Sequence, residues 1–582
     1  AASAGSASPK DPPPSAALAT ALGSLSGFDA NLRLDIGEAL YRQTAIRGTS
    51  VDALVQDGAL TIRKFDIADI GGGAFSVAGT LSGAGSAPTG DLEISLKAKS
   101  ATRLARLAGI ETNDTLQRIG RFELRGKLTG GLESLKIKGN LKALGSSLDL
   151  IGAVKPLTVP PIFDATIAAK HPAAEKLFAI FAPGVLAPGA KLGQSTLNAS
   201  LNSDNGSAIS LDVALDLASV HLTAKGSYGA GSDDPALDLT LDAAHPDLVG
   251  LARVMAPKFN PAKRDLGPLK VTARVGGTAR AVQISNLELI TGPIKLKGKG
   301  GLDLGDGRPK LNLVLGTGRI EVDPWLPAGA PSPKVAAPAV PVKSARREWS
   351  RDRIDTSGLM AADADITLDA EQVVYGAYVI DNAKLGAILK DGVLTLNKFA
   401  GGMFGGSIVA SGKLAHGSVP SVGLNLEIKQ ADIRKAALAA SGVAKVDGVL
   451  DYQTDMSSRG ASEHALVSAL SGTGSILVRD GVIEGLDLPI VSKQLDKLNR
   501  PVDFLTLVEK AMKGGTTPFK SLTASYQIKK GVLRSEDITL ESPAAAGRGT
   551  AVVNLPPQEM DTRIKFWLVE YENSPPIGVR FI

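Results

Sequence analysis

Asp57-Gly58-Ala59-Leu60-Thr61-Ile62, followed by Lys64-Phe65, returns later in the chain as Asp391-Gly392-Val393-Leu394-Thr395-Leu396 with Lys398-Phe399. In both copies Asp-Gly supplies two adjacent residues that tolerate positive φ, as a tight hairpin turn requires. The aliphatics that follow alternate with polar residues, as on a strand buried on one face. The match runs without a gap from residues 34–65 to residues 368–399, setting Leu34 against Leu368, Tyr41 against Tyr375, Ile46 against Ile380 and Ala53 against Ala387. Further copies of the turn are expected at Asp480-Gly481-Val482-Ile483 and Lys530-Gly531-Val532-Leu533. A repeated hairpin is a unit from which a long antiparallel sheet can be built.

Outward from these hairpins, alternation dominates. Leu237-Asp238-Leu239-Thr240-Leu241-Asp242 and Ile294-Lys295-Leu296-Lys297 place aliphatics on one face and polar groups on the other, as do residues 135–138, 211–217 and 424–429. Short turns between them predict an antiparallel meander, since parallel neighbours need a crossover of a dozen residues or more. Helical periodicity is confined to four short runs, residues 100–107, 171–181, 245–255 and 430–440. The first three recur at roughly 70 to 75 residues, the mark of a repeating unit of several strands and one helical arm. The expected fold is predominantly all-β, an antiparallel sheet with a few short amphipathic helices.

Composition agrees. Of 582 residues, 44% are hydrophobic and 21% charged, which excludes global disorder, while aromatics are only 4% and 65 glycines and 33 prolines punctuate the chain. There is no cysteine, so disulfides, thiolate-bound metals and a thiol nucleophile are excluded. A net charge of +5 without a dense basic block, and with few aromatics, argues against a nucleic-acid partner. No run of about 20 apolar residues is present to span a membrane. Residues 1–20 read as a small-residue, Pro-rich linker, and the chain is expected to be a fragment that has lost a preceding anchor. Residues 328–353, Pro/Ala-rich and then basic, read as a linker or loop between a body at 21–327 and a second part at 354–582.

Chemistry-bearing motifs are scarce. His171 and His245 each precede a proline and a helical run, which points to turn or cap roles; His221, His416 and His464 are isolated in sequence. Gly71-Gly72-Gly73 and Gly401-Gly402 lack the Gly-Lys-Ser/Thr ending of a phosphate loop and read as bulges or turns between strands. No catalytic residue, metal site or cofactor is expected. The informative feature is the aliphatic face, which a long sheet must cover with a second layer or with a ligand.

The stretch Ser471-Gly472-Thr473-Gly474-Ser475-Ile476-Leu477-Val478-Arg479-Asp480-Gly481-Val482-Ile483 resembles the C-terminal domain of the AsmA family. The resemblance continues through Thr517-Pro518-Phe519, Ile528-Lys529-Lys530-Gly531-Val532-Leu533, Leu540-Glu541-Ser542-Pro543 and Gly549. It is specific over residues 471–555 and diffuse before them. It implies an elongated bacterial envelope protein, anchored in the inner membrane by an N-terminal helix this chain lacks, with a β-rich body in the periplasm. AsmA-like and TamB-related proteins are in turn similar to bridge-like lipid transfer proteins, whose sheets curl into an apolar β-groove.

On that basis phospholipids are the expected partners, with outer-membrane or periplasmic proteins as further ones. The function expected is conduction of acyl chains between inner and outer membrane. Alternation selects Leu60, Ile62, Ile294, Leu296, Leu394 and Leu396 as groove lining. The rival reading is a structural or assembly factor for outer-membrane proteins whose groove is filled by its own side chains. A hydrolase, which would need paired carboxylates in a cleft, is the least favoured class.

Overall fold

The computed structural model describes residues 29–581 except 42–43, 84–87, 108–113, 132, 159–160, 183–185, 187–188, 204–207, 230–234, 258, 279, 306, 329–347, 495–505, 508, 512–513 and 572–575. Strand makes up 66% of the chain and helix 12%, as an all-β fold requires. The chain divides into two compact units, Ala1–Phe259 with Gly267–Ala279, and Asn260–Leu266 with Arg280–Ile582. Among the described residues no helix is long and apolar enough to cross a membrane.

The first unit carries β1 (Ala30–Tyr41), β2 (Thr44–Gln56), β3 (Ala59–Ile70), β4 (Gly73–Ser82), β5 (Thr89–Ala98), β6 (Phe122–Gly131) and β7 (Ser134–Ala143). It continues with β8 (Ser146–Lys155), β9 (Ile162–His171), β10 (Ser195–Ser203), β11 (Ala208–Leu217), β12 (Val220–Gly229), β13 (Ala236–His245) and β14 (Leu269–Thr278). Each strand pairs antiparallel with the next in sequence. Helical arms follow every fourth strand: α1 (Ala101–Leu107) and α2 (Asp114–Ile119) after β5, α3 (Glu175–Phe181) after β9, and α4 (Leu248–Met255) after β13. The repeat inferred from the helical runs is therefore four strands and an arm.

Histidine staples two of these corners. His171 at the end of β9 donates from Nε2 to the Leu144 carbonyl at 3.0 Å and accepts the Ala173 N–H on Nδ1 at 2.9 Å. His245 at the end of β13 does the same with the Ala218 carbonyl and the Asp247 N–H, both at 3.0 Å. Both rings are buried, and both nitrogens are used, so the turn role read from the sequence holds.

The second unit holds β15 (Ala281–Thr291), β16 (Ile294–Asp303), β17 (Lys310–Glu321), β18 (Asp363–Tyr375), β19 (Tyr378–Lys390), β20 (Val393–Met403), β21 (Gly406–Ala415) and β22 (Ser421–Asp432). Then come β23 (Val446–Arg459), β24 (Ser471–Glu484), β25 (Thr516–Lys529), β26 (Val532–Glu541), β27 (Ala545–Asn554), β28 (Glu559–Leu568) and β29 (Ile577–Phe581). Its helices are α5 (Ile433–Ser441), α6 (Glu463–Ala469) and α7 (Leu488–Gln494). In neither unit does the sheet close into a barrel.

The expected meander fails at one pairing, because β17 and β18 are parallel. The chain between them is long enough for a crossover, and part of it is tied down: the Trp349 indole donates to the Leu555 carbonyl at 3.2 Å, and Ile354 N–H to the Ala461 carbonyl at 2.9 Å.

The duplication seen in sequence is reproduced to its irregularities. Leu34 faces Val51 on β1–β2 as Leu368 faces Leu385 on β18–β19. The register slips after Asp52 in one copy and after Gly386 in the other, and again after Ile62 and Leu396. Both Asp-Gly turns have two positive φ values, 50° and 72° at Asp57-Gly58 and 52° and 76° at Asp391-Gly392; Lys530-Gly531 follows with 50° and 74°.

Asp480-Gly481 is a correction. It lies inside β24, where β23 and β25 already occupy both edges, so no return strand can form; Asp480 takes positive φ at a bulge opposite residues 447–449. Gly71-Gly72 is a turn as expected. Gly401-Gly402 instead sits within β20, paired with Ile408 and Ser407 of β21.

Candidate functional site

Side chains of directly opposed residues on neighbouring strands share a face, so the register can be followed across a sheet. In the first unit one such ladder crosses all of β1–β14. It passes through Leu32, Ala53, Ile62, Gly79, Leu92 and Leu128, then Ile137, Gly152, Ala165, Leu201, Leu211, Gly226, Leu239 and Val275. Every member is aliphatic or glycine. The ladder two residues along, from Leu34 to Ala273, is equally free of polar side chains. The next, from Ile36 to Val271, is interrupted only by Thr49. Three ladders make a strip roughly 14 Å wide, and fourteen strands extend it over on the order of 60 Å.

The opposite face is ionic. Lys127 meets Asp91 at 2.9 Å, Lys225 meets Asp212 at 2.9 Å and Arg274 meets Asp238 at 2.8 Å, all in solvent. Arg274 beside Asp238 lowers that carboxylate's pKa, as Arg33 and then Arg63 do for Asp52. Such exposed pairs organise a solvated surface and add little stability.

The ladder face of the first unit is half-buried rather than closed, and among the described residues no second sheet packs on it. A half-exposed leucine forgoes about half of the 1.5–3 kcal/mol that full burial provides, so covering this strip is favourable for any apolar ligand.

The second unit has the same plan. A ladder from Ile284 runs through Gly300, Leu313, Ile366, Ala387, Leu396, Gly412, Leu424 and Met456. It goes on through Gly472, Ile528, Leu533 and Val553 to Met560 without a polar member. A cavity of about 510 Å³ at the ends of β15–β19 is lined by Val282, Leu302, Leu311, Ala364 and Leu389, the adjoining ladder. A larger hollow, about 870 Å³, lies at the ends of β3–β8 of the first unit, where Gly73, Ala98, Phe122 and Ala143 continue the apolar face and Lys97, Lys99, Arg121 and Lys142 line it together with Asp69 and Glu123.

All six residues chosen by alternation lie on these faces. Ile62 and Leu396 are ladder members; Leu60 stands between Val55 and Leu81, and Leu394 between Leu389 and Leu414. Leu296 faces Leu289 and Thr317, whereas Ile294, 6% exposed at the start of β16, is the most enclosed of the six. Sequence reading missed the glycines. Gly79, Gly152 and Gly226 recur on β4, β8 and β12, each on the ladder from Leu32 to Val275. A β-carbon there would overlap the carbonyl oxygen of Asp91, Asp164 or Asp238 on the following strand. The signal was available as a recurrence at the four-strand period.

The end of the second unit differs. Here α7 and Leu507 and Ala511 lie over Val478, Phe519, Leu540, Phe566 and Leu568 in a buried cluster. Just before it, the Tyr452 and Tyr526 hydroxyls bond at 2.7 Å across Gly474, and burial, then this bond, push the Tyr452 hydroxyl above its ordinary pKa. At this end of the second unit the apolar face is thus covered by the unit's own chain.

The five histidines do not converge: His221 bonds Asp216 in solvent and His416 bonds Thr356. Among the described residues no cluster of three or more His, Asp or Glu could hold a metal. No curated protein matches the chain. Residues 258–538, from the approach to β14 into β26, match the family model described as AsmA family, the family that the sequence resembles.

Proposed function

We propose that the protein binds phospholipid acyl chains along its apolar ladders and conducts them between the inner and outer membrane, in support of outer-membrane biogenesis. The AsmA family is envelope-associated and is not a known enzyme family, which supports carriage over chemistry. The observation that carries the reading is the unbroken aliphatic ladder across fourteen consecutive strands, open on its apolar side. Each methylene withdrawn from water gains about 0.8 kcal/mol, so a strip of this width offsets roughly 10 kcal/mol of the cost of moving a sixteen-carbon chain through an aqueous space. Headgroups remain outside, and partners or a gradient supply direction.

Lipid extracted from the purified 582-residue chain and identified by mass spectrometry tests this, beside a variant carrying Leu394→Asp and Leu396→Asp. The expectation is stoichiometric phospholipid in the parent and its loss from a variant whose circular dichroism is unchanged. A lipid-free parent that also refuses added phospholipid would sink the proposal. It would favour the second reading, a structural or assembly factor, which the self-covered face beneath α7 supports locally.

A further inference from the structure

β1 and β18 are counterparts in the duplicated hairpin, yet their outer edges differ. On the side away from β19, β18 takes β17 in parallel, with Leu311 opposite Ala364, Leu313 opposite Ile366 and Leu315 opposite Leu368. β1 has no strand on the side away from β2 among the described residues. Its Leu32 and Leu34, which stand where Ile366 and Leu368 stand, are 52% and 43% exposed, whereas Ile366 and Leu368 are half-buried. A twelve-residue edge strand with bare leucines is a template for pairing.

Charge says what kind of strand fits. Arg308, just ahead of β17, reaches two aspartates of the duplicated hairpin, pairing with the Asp391 carboxylate and lying 3.8 Å from Asp363 Oδ1. Those two are themselves joined, Asp391 N–H donating to Asp363 Oδ1 at 3.1 Å. Their counterparts Asp57 and Asp29 keep that bond, at 3.2 Å, but among the described residues no cation pairs with either. The first copy therefore has the acidic socket and the apolar edge that Arg308 and β17 fill in the second, and among the described residues neither is filled.

We propose that the outer edge of β1 docks a parallel strand of another polypeptide with the chemistry of β17: an arginine that seats on Asp29 and Asp57, then aliphatic residues three, five and seven positions later that cover Ala30, Leu32 and Leu34. Main-chain bonds along the edge supply affinity, and the arginine and alternate aliphatics set register and direction. A second copy of this chain is a poor occupant through β29, because Arg580 follows its aliphatics rather than preceding them and is already held by Asp561 at 2.8 Å. The docked strand would extend the sheet, and with it the apolar ladders, beyond β1.

The test uses the full chain, whose lack of cysteine makes disulfide trapping clean. The probe is a synthetic peptide of residues 308–319 with cysteine at the Leu315 position, offered to Leu34→Cys and, separately, to Leu368→Cys protein. Trapping at Leu34→Cys, well above a scrambled peptide and above the β17-protected Leu368→Cys, is the expected result. Asp29→Asn with Asp57→Asn should weaken binding of the cysteine-free peptide about fivefold, and Arg308→Ala in the peptide should weaken it to the same degree. Trapping no better than the scrambled peptide would overturn the proposal, as would trapping indifferent to the aspartates or equal labelling of Leu368→Cys. Cross-linking of Leu34→Cys to another copy in preference to the peptide would overturn it in favour of self-association.

Discussion

Gly226 on β12 lies so close to Asp238 on β13 that no β-carbon fits between it and the Asp238 carbonyl oxygen, and its φ of 150° is one that side-chain-bearing residues rarely adopt. Gly152 against Asp164 and Gly79 against Asp91 repeat the contact at the four-strand period. These glycines thus set the spacing of strand pairs under the apolar ladder.

Gly226→Ala should accordingly lower stability by about 1–3 kcal/mol, through overlap and backbone strain together. Gly139→Ala, on a neighbouring ladder where a β-carbon would sit 3.7 Å from the Arg125 carbonyl, should change it by less than about 0.5 kcal/mol. Denaturant unfolding of the two variants beside the parent checks the contrast.

Charge on the open ladder should cost lipid, not fold. Ile137→Asp places a carboxylate in the middle of the strip on β7, and phospholipid retention should fall about tenfold or more with the unfolding midpoint little altered, because the site is half-exposed. Ile151→Asp, on the polar face of β8 and 57% exposed, should leave retention unchanged. Quantitative lipid extraction of the two variants decides whether the apolar face is the one that matters.

His171→Ala should destabilise by about 1–3 kcal/mol, since it leaves the Leu144 carbonyl and the Ala173 N–H without their partner at a buried corner. His221→Ala, whose ring is in solvent beside Asp216, should be nearly neutral. Hydrogen exchange at Leu144–Gly145 and at Ala173 would localise the effect to the turn and the arm.

Arg580, then Arg563, hold the Asp561 carboxyl down at about 2, from an ordinary 3.8. A depressed folded pKa means that the contribution is present above the unfolded value and lost as pH falls through the folded one. The β28–β29 pairing should therefore loosen between about pH 4 and pH 2. Protection of the Val579 and Phe581 amides, taken relative to the intrinsic exchange rate at each pH, should fall across that range in the parent, and Asp561→Asn should show the looser behaviour at every pH.

Much of this architecture is written locally. Alternation, Asp-Gly turns and short amphipathic runs are properties of a few adjacent residues. Hence the strands around Leu60, Leu239, Leu296 and Leu396, the turns at Asp57, Asp391 and Lys530, the arms after His171 and His245, and the face to which the lining candidates belong could all be read from sequence. The duplication could be read as well, because it survives as identity at matched positions.

Other features depend on which strand lies alongside, which no local pattern encodes. Asp480-Gly481 looks like a turn until β23 and β25 occupy both edges of its strand. The parallel β17–β18 pair follows from where a long crossover returns. The continuity of the ladders, the glycines beneath them and the cover that α7 provides at one end arise only when register sets distant residues side by side. Periodicity determined that this protein has an apolar face, whereas tertiary pairing decided where that face is continuous, where it is open and where the chain covers it, because side chains meet across strands rather than along them.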